Sequence, residues 1–136
     1  MNLPKRALLP LPRATVDQIS LGNHLALAAC SGSGGSAHLF NELVRALYLT
    51  FYIGEMGYAA GTVELYRAAE SGLEHSITRG NEDGTWVLEA SARQLLEEVL
   101  RIHDNQLGSA RAGDFMMAEQ KLSQFIHSDR KASPFD

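Results

Sequence analysis

Cysteine is almost missing: Cys30 is the single one in 136 residues. No intramolecular disulfide can form, so nothing in the chain requires an oxidising compartment. Cys30 follows Leu-Ala-Leu-Ala-Ala and reads as a small buried hydrophobe. No His, Asn or Asp stands in a partner motif that would make it a catalytic thiol. A basic surplus is also lacking. Lys and Arg number 12 against 16 Asp and Glu, and the net charge of -4 argues weakly against a generic nucleic-acid binder. No apolar run reaches membrane length, because the longest, residues 43–60, carries Arg45 and Glu55. The first residues have the positive charge of a leader peptide, but Pro10 and Pro12 break their short apolar stretch. The expected location is the cytoplasm, without a membrane partner.

Proline is scarce beyond the start of the chain, with three of its four residues among the first 14. That stretch is expected to be an extended or disordered arm. Met1 to Arg6 would fray, while Leu8, Leu9 and Leu11 have the apolar character to pack on a partner subunit.

What is present is the balance of a globular domain, with 45% hydrophobic and 21% charged residues. A chain this long can bury a core without metal or disulfide staples. Its pattern is helical throughout. The expected layout is an arm over residues 1–14, one bundle domain over 15–130 and a tail over 131–136. The fold class is all-α, an antiparallel bundle of four to five helices preceded by the Pro-rich extended arm.

A first helix is expected from Thr15, with Thr15 and Gln18 as a capping box, to about Cys30. Val16, Ile19, Leu25 and Cys30 are among its apolar positions, and Gly22 weakens its middle. The connector Ser31-Gly-Ser-Gly-Gly-Ser36 separates it from a second helix capped by Ser36. This second helix opens amphipathic and turns apolar all round from Ala46 to Ile53. A helix apolar on every face must be buried on every face. It should be the centre of the bundle, with surface to spare for a partner.

A break at residues 57–61 leads to a third helix that ends at Arg79, before a turn over Gly80-Asn-Glu-Asp-Gly84. A fourth helix carries Leu88, Ala92, Leu95, Val99 and Ile102 on one stripe, flanked by Leu96 and Leu100. Glu89–Arg93 and Glu97–Arg101 are expected as i, i+4 pairs on its other face. After Gly113, Asp114 would cap a fifth helix with Phe115, Ala118, Leu122, Phe125 and Ile126 inward. Its Ala-Gly-Asp turn looks superficially like the turn of tetratricopeptide-type repeats, but no period of about 34 residues accompanies it.

Four groups of residues invite a chemical reading. The loop Gly32-Ser-Gly-Gly-Ser-Ala37 matches G-x-G-x-x-A, and Glu55 lies 18 residues beyond it. Such glycines let a backbone approach a pyrophosphate at a helix N-terminus. The residues before the loop contain no β-branched side chain and make a poor strand, so a plain linker explains the loop better. The five histidines, His24, His38, His75, His103 and His127, include one metal-compatible spacing, His38 with Glu42. No Glu-x-x-His occurs, so the di-iron bundle pattern is not met. A helix-turn-helix across residues 57–61 would offer Glu64, Arg67, Glu70 and Glu74, three of which repel phosphate. The helix after Gly113 carries Lys121, Arg130 and Lys131 and is more compatible.

The fourth group is aromatic: Phe40, Tyr48, Phe51, Tyr52, Tyr58 and Tyr66. It suits a core and an association surface equally. The expectation is therefore a non-enzymatic interaction or regulatory module, self-associating or bound to a protein partner. Its interface would be Leu43, Leu47, Tyr48, Phe51 and Tyr52. No catalytic residue, cofactor or metal ligand is assigned. The alternatives are a small-ligand or nucleotide-binding protein using the loop from Gly32 to Ala37, and a helix-turn-helix regulator.

Overall fold

The computed structural model describes residues 5–128 and 133–136. A 3-10 turn, Lys5–Leu8, precedes five helices: α1 Arg13–Cys30, α2 Ala37–Gly54, α3 Val63–Asp83, α4 Ala90–Ser109 and α5 Ala112–Ile126. Among the described residues there is no strand, and the one β-type pairing is an isolated bridge from Pro10 to Arg111. The chain is an all-α bundle of packed helices. No helix among the described residues is long and apolar enough to cross a membrane.

Helix ends follow local chemistry, with three departures from the sequence pattern. Ser36 caps α2 as expected, its hydroxyl accepting from Leu39 N at 3.2 Å. Thr62 caps α3 in the same way, accepting from Leu65 N at 3.1 Å. α1 starts two residues before the expected Thr15. Pro12 sits at its N-cap with φ -57° and ψ 142°, and the Pro12 carbonyl accepts from Val16 N at 3.0 Å. Proline needs no N–H there, so the helix starts without a side-chain cap.

α3 runs through the expected turn to Asp83, and only Gly84 leaves the helix, at φ 77°. Gly80 is buried inside it, because the Trp86 indole lies where a Cβ would stand. α5 begins at Ala112 with Arg111 at the N-cap; Asp114 lies in the first turn and does not cap it. Its carboxylate instead accepts from the Tyr58 hydroxyl at 2.5 Å.

α2 packs on each of the other four helices, which explains its apolar girth. One apolar cluster joins Phe40, Leu43, Ala46 and Leu47 of α2 to α1, α3 and α4, and it includes Phe135 from the C-terminal segment. A second joins Leu49 and Ile53 to Leu107 of α4 and to Phe115, Ala118 and Leu122 of α5. The short segment from Leu9 to Leu11 lies over the α4–α5 junction, with Ala112 N donating to Leu9 O at 2.8 Å. This stretch of the expected arm therefore bonds to the bundle; residues 1–4 lie outside the described residues.

The expected stripe is buried at Leu88, Ala92 and Val99, as are the flanking Leu96 and Leu100, but the buried face of α4 leans toward the flanking side. Leu96, Val99, Leu100, His103, Gln106 and Leu107 are buried, while Leu95 and Ile102 are half-buried. Ile126 of α5, expected inward, is 61% exposed, and Leu25, one of the apolar positions of α1, is 60% exposed. The surface charge pairs also differ. Arg93 meets Glu97 at 3.1 Å, Arg101 bonds to Glu98, and Glu89 faces His75 at 3.4 Å.

Candidate functional site

The C-terminal residues Ser133, Pro134, Phe135 and Asp136 form a tight turn. Asp136 N donates to Ser133 O at 3.2 Å, and Phe135 N donates to Ser133 Oγ at 3.1 Å. Ser followed by Pro suits the first two turn positions, since proline presets the φ of the second. The turn presents Phe135 to the bundle, where it is 7% exposed.

The receiving surface comes from two helices. Tyr48 and Phe51 lie three apart on α2, and Tyr66 projects from α3. Phe135 meets Phe51 edge-on at 5.1 Å between ring centroids, Tyr48 edge-on at 5.6 Å and Tyr66 stacked at 5.5 Å. Edge-on and stacked pairs at these separations are the favourable ones for the ring quadrupoles. Phe125 of α5 closes against Tyr48 at 5.8 Å.

Polar contacts fix the tail's position. Arg67, next to Tyr66 on α3, donates to Phe135 O at 2.9 Å and to Asp136 Oδ1 at 2.7 Å. One guanidinium thus reads a main-chain carbonyl and a carboxylate together, which its planar fork suits. Tyr48 donates to Glu70 Oε2 at 2.7 Å, and Tyr66 accepts from Gly61 N at 2.7 Å. Burial, with Glu70 beside it, pushes the Tyr48 hydroxyl well above its ordinary pKa; burial also raises Tyr66 and Tyr52. All three stay neutral near pH 7 and offer uncharged ring surfaces, with Tyr48 the donor to Glu70. Burial and the neighbouring Glu70 likewise raise the Glu74 carboxyl.

The residues expected at an interface divide. Leu43 and Leu47 are 0% exposed and lie inside the bundle. Tyr48, Phe51 and Tyr52 are half-buried, and the first two hold the tail. Phe135 and Asp136 carry no periodic signal in the sequence, and Arg67, a candidate there only for a helix-turn-helix, holds the tail instead. The available signals were the Ser-Pro turn and an aromatic residue beside an acid at the end of a polar stretch.

The other chemical candidates are dispersed. The segment before Gly32 is helix α1, and Gly35 is packed so closely that an added Cβ would collide with the Trp86 carbonyl oxygen. Cys30 is buried, and burial pushes its thiol up to about 11, so it is not a nucleophile near neutral pH. His24 Nε2 lies 2.7 Å from Asp104 Oδ2, and a His127 ring nitrogen 2.8 Å from Ser123 O. Among the described residues, no three His, Cys, Asp or Glu side chains converge to hold a metal. A cleft of about 320 Å³ lies between α3 and the start of α4, flanked by His75 and Glu89. Both side chains are more than half exposed, so water screens any chemistry between them.

His103 belongs to a buried polar group. Gln106 Nε2 donates to Thr50 O at 2.8 Å and to Ala59 O at 2.6 Å, which turns its Oε1 toward His103 Nδ1 at 3.1 Å. This ties α4 to the end of α2 and the loop after it. No protein-family model matches the chain, and no curated protein or solved structure matches it either.

Proposed function

We propose that this chain is a non-enzymatic protein-interaction module. Its working surface is the α2–α3 groove, and its ligand is a short turn that offers an aromatic side chain and a carboxylate. The observation that supports this reading is the seat of Phe135 and Asp136. The bundle holds a short segment through three ring contacts and a forked Arg67 contact, as peptide-binding surfaces do with an aromatic anchor and a charged clamp. Of the five expected interface residues, Tyr48 and Phe51 line this surface, Tyr52 lies beside Phe51 and packs on the second cluster, and Leu43 and Leu47 are buried inside the bundle.

The test adds the tetrapeptide Ser-Pro-Phe-Asp, with its N-terminus acetylated, to the full chain carrying Phe135→Ala. Titration followed by NMR should move signals of Tyr48, Phe51, Tyr66 and Arg67, and a peptide with Ala in place of Phe should move none. No response to millimolar peptide would overturn the reading.

A further inference from the structure

The groove is longer than the tail that fills it. Beside Phe135, the Phe51 and Tyr66 rings also wall a cavity of about 120 Å³ that continues over Gly54, Gly61 and Val63. Exposed Glu55 stands at the same place. Val63 is 44% exposed, an apolar surface beside an apolar hole. Phe135 itself does not line this cavity, although it touches the two rings that do. The tail therefore uses one half of a surface whose other half has room for a small aliphatic side chain.

The tail is also a tethered ligand. Phe135 is joined to the end of α5 at Ile126 by the eight residues between them. A segment on so short a tether faces its site at an effective concentration in the millimolar range. Any ligand arriving from outside must displace it, and apparent affinity falls by the fraction of molecules with the groove open. A ligand that filled both halves would have contacts the tail lacks.

We propose that the α2–α3 groove is a two-pocket receptor for a partner protein segment that carries an aromatic residue followed by a carboxylate, with a small aliphatic side chain beside them, and that residues 133–136 are its displaceable internal competitor. The charge and shape of the groove set the partner's chemistry. Arg67 takes the carboxylate, the Tyr48–Phe51–Tyr66 rings take the aromatic, and the Val63 side takes the aliphatic group. This rests on the interaction-module reading above and adds two claims to it, the second pocket and the internal competition.

The experiment compares the full wild-type chain with Phe135→Ala, using two labelled probes: acetyl-Ser-Pro-Phe-Asp and the same peptide flanked by leucine at both ends. Phe135→Ala should bind either probe at least about tenfold more tightly than wild type, because the tethered competitor is gone. The leucine-flanked probe should bind more tightly than the tetrapeptide, and Val63→Phe, which fills the cavity mouth, should erase that gain. Should Phe135→Ala fail to fold, Asp136→Lys loosens the tail at Arg67 without removing core volume and serves the same comparison. Arg67→Glu should lose the acidic probes and accept one with Lys in place of Asp.

Equal affinity of wild type and Phe135→Ala would overturn the competition and leave the module reading standing. Equal affinity for both probes would overturn the second pocket. Failure of every probe on Phe135→Ala and Asp136→Lys would remove both the inference and the reading beneath it. A concentration-dependent wild-type dimer, abolished by Phe135→Ala in sedimentation, would show that the occupant is a second copy's tail and overturn the partner assignment.

Discussion

His103 occupies a core position of α4 although its ring is polar. The Gln106 amide gives both its protons to main-chain carbonyls, so its oxygen must accept from His103 Nδ1–H. The other ring nitrogen, Nε2, then carries a lone pair that is buried and has no partner. Burial lowers the pKa of His103; Gln106 and Asp104 oppose this, and Arg45 adds to it. The folded chain thus holds the ring neutral, while the unfolded chain protonates it near pH 6.5. Because the folded pKa is the lower one, stability from this site is complete above about pH 6.5 and is lost as pH falls toward the folded pKa. Urea unfolding between pH 7.5 and 5 should show this loss, and His103→Leu should flatten the slope; equal slopes would remove His103 as the cause. Two glycines test packing with opposite signs. Gly22 in α1 has nothing within 4 Å of an added Cβ, so Gly22→Ala should stabilise by about 0.5–1 kcal/mol. Gly80 in α3 has the same helical preference, yet its Cβ would collide with the Trp86 indole. Gly80→Ala should destabilise by about 1–3 kcal/mol, since overpacking outweighs propensity. Thermal melts of the two variants check both signs.

Helix boundaries depend on whether a cap has competition. Ser36 stands between a glycine loop and an apolar helix, and its hydroxyl is the nearest acceptor for Leu39 N. Ser36→Ala should lower the unfolding free energy by about 1 kcal/mol. Thr15 has the same sequence signature, but α1 already starts at Arg13, where proline sets the geometry. Thr15→Ala should stay within about 0.5 kcal/mol of wild type in the same denaturation series. This pair shows what was legible in the chain. Periodicity placed all five helices, because each must turn an apolar stripe to its neighbours. It placed Ala92 and Val99 on the buried face of α4 but not the edge of that face, since Leu95 and Ile102 continue a three-four spacing as well as Leu96 and Leu100 do. The polar His103 and Gln106 interrupt the true stripe, and no pattern announces that they bond to Thr50 and Ala59 across the fold. Gly80 looked like part of a turn because only the finished structure shows Trp86 lying on it. At the groove, the rings of α2 were legible from composition. The ligand that fills them was not, because a four-residue turn has no period to read.

The molecule as a whole is closed by its last residues, and magnitudes decide what closes it. The Arg67–Asp136 pair is half exposed on both sides, 50% and 51%, and such pairs contribute about 0–1 kcal/mol. Phe135 buries a whole ring against two helices, and truncating a buried Phe to Ala costs about 3–5 kcal/mol where the chain cannot relax. Residues 133–136 lie outside the five helices and have a cheaper way out, because they can undock while the helices stay folded. The measured loss is then limited to the free energy that holds the tail down. Phe135→Ala should therefore lower global stability by up to about 3 kcal/mol, Arg67→Ala by less than about 1 kcal/mol, and only the second loss should shrink in high salt. A hold of about 3 kcal/mol corresponds to roughly a hundredfold excess of the closed groove over the open one. Hydrogen exchange at Phe135 N, compared with that of the α2 amides, reads this ratio directly. Exchange of the tail at the rate of the helix core would mean that the tail opens only when the bundle unfolds, and that Phe135 is an ordinary core residue, not a ligand held in place.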